Sequence, residues 1–188
     1  MTSGTTRKRA SIIHGYGATP EDHWFGWLAE RLRADGIPTT IPALPNPLSP
    51  DPAQWTEAVA RYLGPLDEHS VVVAHSLGCL AVLRHLRSLP SPWRLGTLVL
   101  VSGFVDRLPV LPDLNAFIGH GCDVTGISDH IDRLTIIRSD ADQYVPPGHT
   151  ARLADQLGVS AQVVPGAGHF LASDGVTSLR EAHEAITP

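Results

Sequence analysis

The sequence predicts a three-layer α/β sandwich: a sheet of about six mostly parallel strands flanked by helices. Three observations point there. Short β-branched runs alternate with helical stretches along the whole chain, several of those runs are apolar nearly throughout, and the connections between them carry helix caps and proline or glycine stops. With 188 residues and 43% hydrophobic content, the chain reads as a single domain, 1–188, able to build its own core.

The expected strands are 10–13, 39–41, 70–74, 97–101, 134–138 and 161–164. Thr19-Pro20 reads as an N-cap with a first-turn proline, after which Trp24, Trp27, Leu28 and Leu32 share one face. Asp51-Pro52-Ala53-Gln54 repeats the device, with Trp55, Ala58, Val59, Tyr62 and Leu63 as the stripe. A third helix from Leu77 to Leu89 is apolar on most sides and stopped by Pro90, so it should be deeply buried. A fourth runs from Pro147 to Leu157 before Gly158, and a fifth occupies Asp174 to Ile186. The proline-rich stretch 42–52 is a rigid loop. Residues 102–133 form the one long connection, a small lid or a packed insertion.

Composition excludes several function classes. Nineteen acidic against fourteen basic residues, with no basic cluster beyond the first ten, argue against nucleic acid. No apolar run approaches a membrane span. Arg7-Lys8-Arg9 is followed by His14, Gly15 and Gly17 where a leader needs an apolar stretch, so a cytoplasmic location is expected. Cys79 and Cys122 are too few for a disulfide framework or a zinc set, no H-E-x-x-H cluster exists, and no metal or other cofactor is expected.

Chemistry should sit at the carboxyl ends of the strands. The third strand runs into His75-Ser76-Leu77-Gly78 and then a helix, the strand-turn-helix setting of a nucleophile elbow. Ala74 and Gly78 are the small residues two before and two after Ser76; the alternative is an ordinary N-cap serine. After the fifth strand come Asp140 and Asp142, and after the sixth comes Gly168-His169-Phe170. The order Ser76, Asp142, His169 is that of the α/β-hydrolase topology, with each residue just beyond a separate strand. Asp142 is preferred over Asp140 because it lies in the loop just before a helix start; Asp140 would shape the turn. His169 is one of ten histidines, and the flanking glycines and strand-end position select it. After the first strand, His14-Gly15-Tyr16-Gly17 lets main-chain N–H groups approach an oxyanion, so the N–H groups of Leu77 and Tyr16 are the candidate hole. A phosphate loop is the rival there, but the G-x-G-x-x-G spacing is absent. His14 should tie its loop by a hydrogen bond, His75 and the tryptophans should pack, and Cys79 should be an inert buried thiol.

The blocks His14 to Gly17, Pro20 to Leu28, Leu44-Pro45-Asn46-Pro47, Trp55, Ala74 to Gly78, Asp142 to Pro146 and Gly168-His169-Phe170 carry a resemblance. Together they resemble the small α/β-hydrolase-fold serine hydrolases of the YdeN and retinoblastoma-binding-protein-9-like family, over nearly the whole chain. The resemblance implies a compact hydrolase core without a cofactor and Ser76, Asp142 and His169 as its triad. One member of that family is known chiefly through a protein partner, which nothing in this sequence indicates for this chain. Ala74 stands where the family usually has glycine. The expected function is hydrolysis of small or short-acyl carboxylic esters. A thioesterase or peptidase on the same triad, or a non-catalytic interaction module, are the alternatives.

Overall fold

The computed structural model describes residues 7–187. Strands β1 (Arg9–Ile13), β2 (Thr39–Thr40), β3 (Ser70–His75), β4 (Leu95–Val101), β5 (Ile131–Ser139) and β6 (Gln162–Val164) form one sheet in the order β2-β1-β3-β4-β5-β6. Every pairing is parallel, with Ile13 opposite Ala74 and His75 opposite Val101. All six expected strands are present.

The alternation of side chains across each strand divides the core into two. From β3, Val72 and Ala74 face one layer while Val71 and Val73 face the other. The first layer holds α2 (Pro52–Leu63), α3 (Leu77–Ser88) and α5 (Pro147–Gln156); the second holds α1 (Phe25–Ala34) and α6 (Arg180–Ile186). Because β3 and β4 are covered on both faces, they are buried along their whole length, which is why they read as continuous apolar runs. The third helix is as buried as its composition predicts, from Leu77 through Leu83 without interruption.

Three helix readings need correction. The first helix starts at Phe25, not after Thr19: His23 adopts φ 55°, which interrupts any helix begun at Pro20. Thr19 instead closes a turn, its N–H and hydroxyl both donating to Asp22 at 2.7 and 3.1 Å. The last helix starts at Arg180 rather than Asp174, since residues 172–174 form a single 3₁₀ turn ended by left-handed Gly175. Tyr62 is exposed rather than part of the α2 stripe, which consists of Trp55, Ala58, Val59 and Leu63. The α2 cap forms as read, Asp51 accepting the Gln54 N–H at 2.9 Å.

Within 102–133, Phe104, Leu108, Leu114, Phe117, Ile118, Val124 and Ile127 are all buried in the first layer. The short helix α4 (Asn115–Ile118) lies in this segment. Arg84 of α3 donates to the carbonyls of Phe117 and Ile118 at 2.8 and 2.6 Å, fastening the segment to the helix that follows Ser76. No helix among the described residues is long and apolar enough to cross a membrane.

Candidate active site

Strand β3 ends in the buried His75, and the chain turns sharply into α3 at Ser76, which has φ 54° and ψ −124°. A non-glycine residue in that region stores backbone strain, tolerated only where the surroundings fix it. Gly78 is required here: a Cβ would overlap the carbonyl oxygens of Ile13 and His14. Gly15 is equally constrained, because a Cβ would stand 2.9 Å from the His75 carbonyl and 3.0 Å from the Ser76 Cβ. The loop after β1 and the turn after β3 thus lie backbone against backbone. The small residue on the other side of the turn is Ala74, whose methyl is accommodated in the first-layer core.

Ser76 occupies the N-cap position of α3, yet its side chain makes no capping bond. Its Oγ lies 2.9 Å from His169 Nε2. On the other side of the imidazole, Nδ1 is 2.8 Å from Asp142 Oδ2 and 3.0 Å from Oδ1. The loops after β3, β5 and β6 therefore bring the three side chains into one hydrogen-bonded line, all of them buried. With Asp142 accepting at Nδ1, the ring carries its proton there and offers a bare Nε2 to the serine hydroxyl. Asp140 is elsewhere, its Oδ1 accepting the Gly166 N–H at 2.7 Å and tying the loops after β5 and β6 together.

The imidazole is held from its backbone as well. The His169 N–H donates to Asp174 Oδ2 at 2.8 Å, and its carbonyl accepts from His75 Nε2 at 2.9 Å. The His75 ring also leans on the His169 ring, with centroids 4.9 Å apart. Burial first, then the neighbouring His169, pushes the His75 pKa well below its ordinary value, so the ring stays neutral and keeps its donor. His14 is fixed too: Nδ1 donates to the Gly15 carbonyl at 2.9 Å, and Nε2 accepts the Leu44 N–H at 2.9 Å. Burial lowers its pKa, and the neutral ring pins the loop after β1 to the proline-rich loop. Burial drives the Cys79 thiol pKa far upward, so no thiolate forms beside Ser76.

The N–H groups of Leu77 and Tyr16 donate to no partner among the described residues. Leu77 is the first residue of α3, where orphan N–H groups point out of the helix and favour negative charge. Above Ser76 opens a cleft of about 220 Å³ lined by Tyr16, Gly17, Leu111, Tyr144, His169 and Leu171. No cluster of three or more His, Cys, Asp or Glu side chains suited to a metal occurs among the described residues.

The sequence marks Ser76, Asp142 and His169 by their strand-end positions; His75 reads there only as a packing residue, and no motif marks Asp174. The signal for Asp174 was its position five residues after His169, within reach of that loop's N–H groups.

This parallel sheet with an elbow at the end of β3 is an α/β-hydrolase fold. Residues 10–187 match the family described as Serine hydrolase, and the chain belongs to that family. It is 40% identical to YdeN of Bacillus subtilis over 180 residues, 96% of this chain and 95% of that protein. The crystal structure of YdeN superimposes with a TM-score of 0.91, covering 96% of this chain and 97% of the other. A YdeN-like protein of Pectobacterium atrosepticum, 15% identical, shares the fold at a TM-score of 0.71 over 95% of this chain and 89% of its own. The family match and the likeness to YdeN make the protein a hydrolase of the serine type.

Proposed function

We propose that the protein is a carboxylesterase acting on small or short-acyl esters, needing no cofactor and working in the cytoplasm without nucleic acid, membrane or an obligatory protein partner. The observation that carries this reading is the unbroken line from Ser76 Oγ through His169 to Asp142, with contacts of 2.9 and 2.8 Å.

In the proposed cycle His169 Nε2 takes the Ser76 proton as Oγ bonds to the acyl carbon. Asp142 holds the ring in the reactive tautomer and stabilises the imidazolium. The N–H groups of Leu77 and Tyr16 receive the oxyanion, each worth about 3–4 kcal/mol in acyl transfer. His169 returns the proton to the departing alkoxide and leaves an acyl-serine. Water, deprotonated by the same nitrogen, then attacks the acyl carbon; the proton returns to Oγ and the acid is released.

The cleft supports the substrate class. Apart from Ser76 and His169, it is lined by apolar residues and tyrosines without a charge, which suits a neutral acyl group. A cavity of about 150 Å³ holds benzene. A cleft of about 220 Å³ therefore has room for a short or aryl acyl group.

The test is labelling with a fluorophosphonate probe, followed by hydrolysis of p-nitrophenyl esters of increasing chain length. Label that disappears in Ser76→Ala, falls steeply in His169→Ala, and accompanies faster turnover of acetate and butyrate than of palmitate supports the reading. Folded wild-type protein that takes no label removes it, and an interaction module becomes the better account. Labelled protein that prefers thioesters or peptides keeps the triad but replaces the substrate.

A further inference from the structure

We infer that Ser102 is a positioning residue of this site, holding the Asp142 carboxylate so that it orients His169. The inference rests on the proposed roles of Ser76, Asp142 and His169.

Ser102 is the first residue beyond β4, and it is 1% exposed. Its N–H donates to the Ile137 carbonyl at 2.9 Å, prolonging the ladder onto β5. Its Oγ donates to Asp142 Oδ2 at 2.8 Å in a buried bond. The other donors to this carboxylate, apart from His169, are the N–H groups of Tyr144 and Val145, at 2.9 and 2.8 Å from Oδ1. Those two belong to the loop of Asp142 itself and move with it. Ser102 is the side chain that fastens Oδ2 to a different strand.

The placement joins both ends of the site. The carbonyl of Val101, the preceding residue, accepts the Ser76 N–H at 2.9 Å. Two consecutive residues at the end of β4 thus hold the serine turn on one side and the acid on the other. Any rotation of the Asp142 carboxylate would misalign Nδ1 and, through the rigid ring, Nε2 at Ser76.

The backbone strengthens the assignment. Ser102 has φ 48°, a conformation glycine adopts freely and serine does not. For the turn alone glycine would serve better, so what serine adds here is the hydroxyl. Such outliers in a fixed surrounding are where function is to be sought.

The experiment compares Ser102→Ala, which removes the hydroxyl and keeps the strain, with Ser102→Gly, which removes both. For each, fluorophosphonate labelling rate, kcat and KM for p-nitrophenyl acetate, thermal midpoint, and the low-field proton resonance of His169 Nδ1–H are measured. A hydrogen bond to a charged group predicts a fall in kcat and labelling rate on the order of 10–100-fold in both variants. KM should stay within about twofold and the His169 proton signal should shift or broaden, neither of which a merely structural role accounts for. Ser102→Gly should be at least as heat-stable as Ser102→Ala, yet no more active. Variants that label and turn over like wild type overturn the inference and leave the esterase reading intact. So does recovery of activity in Ser102→Gly, which would make strain rather than the hydroxyl the variable. Wild-type protein that neither labels nor hydrolyses esters overturns both readings.

Discussion

Two aspartate–histidine pairs in this molecule have the same contact distance and different surroundings. Asp142 meets His169 Nδ1 at 2.8 Å, and Asp106 meets His149 Nδ1 at 2.8 Å. The first pair is buried, its side chains 8% and 2% exposed; in the second the Asp106 side chain is 45% exposed. Arg152 also reaches the second pair, 2.6 Å from Asp106 Oδ2 and 3.0 Å from the same histidine nitrogen. Partial burial would raise the Asp106 pKa, but the hydrogen bonds from His149 and Arg152 outweigh it and hold the carboxyl below its ordinary value. What the first pair has and the second lacks, among the described residues, is a hydroxyl hydrogen-bonded to the far ring nitrogen. A short Asp–His contact is common chemistry; a buried one aimed at a strained serine is the arrangement the proposed cycle requires.

The largest contrast should come from the proposed nucleophile. Ser76→Ala should lower ester turnover by about six orders of magnitude, as loss of the serine does in other such triads. His149→Ala, assayed alongside, should stay within about twofold of wild type. Next come the two acids. Asp142→Asn should cost about 10⁴ in kcat by fixing the wrong tautomer. Asp106→Asn should leave kcat unchanged; a tenfold loss there would collapse the distinction between the pairs.

A smaller effect is expected at Asp174, which accepts the N–H groups of His169 and Leu171 at 2.8 and 3.1 Å. Asp174→Ala should reduce kcat by about tenfold and lower the thermal midpoint, at about 1.5–3 kcal/mol for a charged hydrogen bond. Three buried histidines supply a pH test. Burial, the largest cause in each case, lowers the pKa values of His14, His75 and His85 from about 6.5. Below that pH the unfolded chain binds protons that the folded chain refuses, so folding stability is full above about 6.5 and falls as pH drops. Each such histidine contributes a slope of up to about 1.4 kcal/mol per pH unit. Thermal midpoints measured from pH 7.5 to 5 should decline, and His75→Phe should flatten the decline. Smallest of all, Asp106→Ala should change stability by less than about 1 kcal/mol in a denaturant titration, as for other exposed ion pairs.

Much of this protein is written locally. The apolar runs of β3 and β4, the Asp51-Pro52 cap and the proline stop after α3 are decided within a dozen residues by period, propensity and backbone restriction. The strand-end positions of Ser76, Asp142 and His169 followed from that rhythm together with the rule that sites gather where parallel strands end. Local signals misled where a long-range demand was stronger. Thr19-Pro20 has the chemistry of a helix start, but the chain must turn at His23 to bring Trp24 and Phe25 beneath the sheet. Asp174 could have opened a helix, but its carboxylate is taken by the His169 loop.

The sequence by itself determined the sheet, the burial of its central strands and the three residues that line up at its carboxyl edge. Only the tertiary structure decided what holds them. The Ser102–Asp142 bond joins residues 40 apart in the chain, and His75 reaches the carbonyl of a residue 94 positions away. It also seated most of the apolar residues of 102–133 in the core beside α3. No periodicity or cap encodes such pairings, because they depend on which loops the strand order makes neighbours. That order is set by the whole core packing at once.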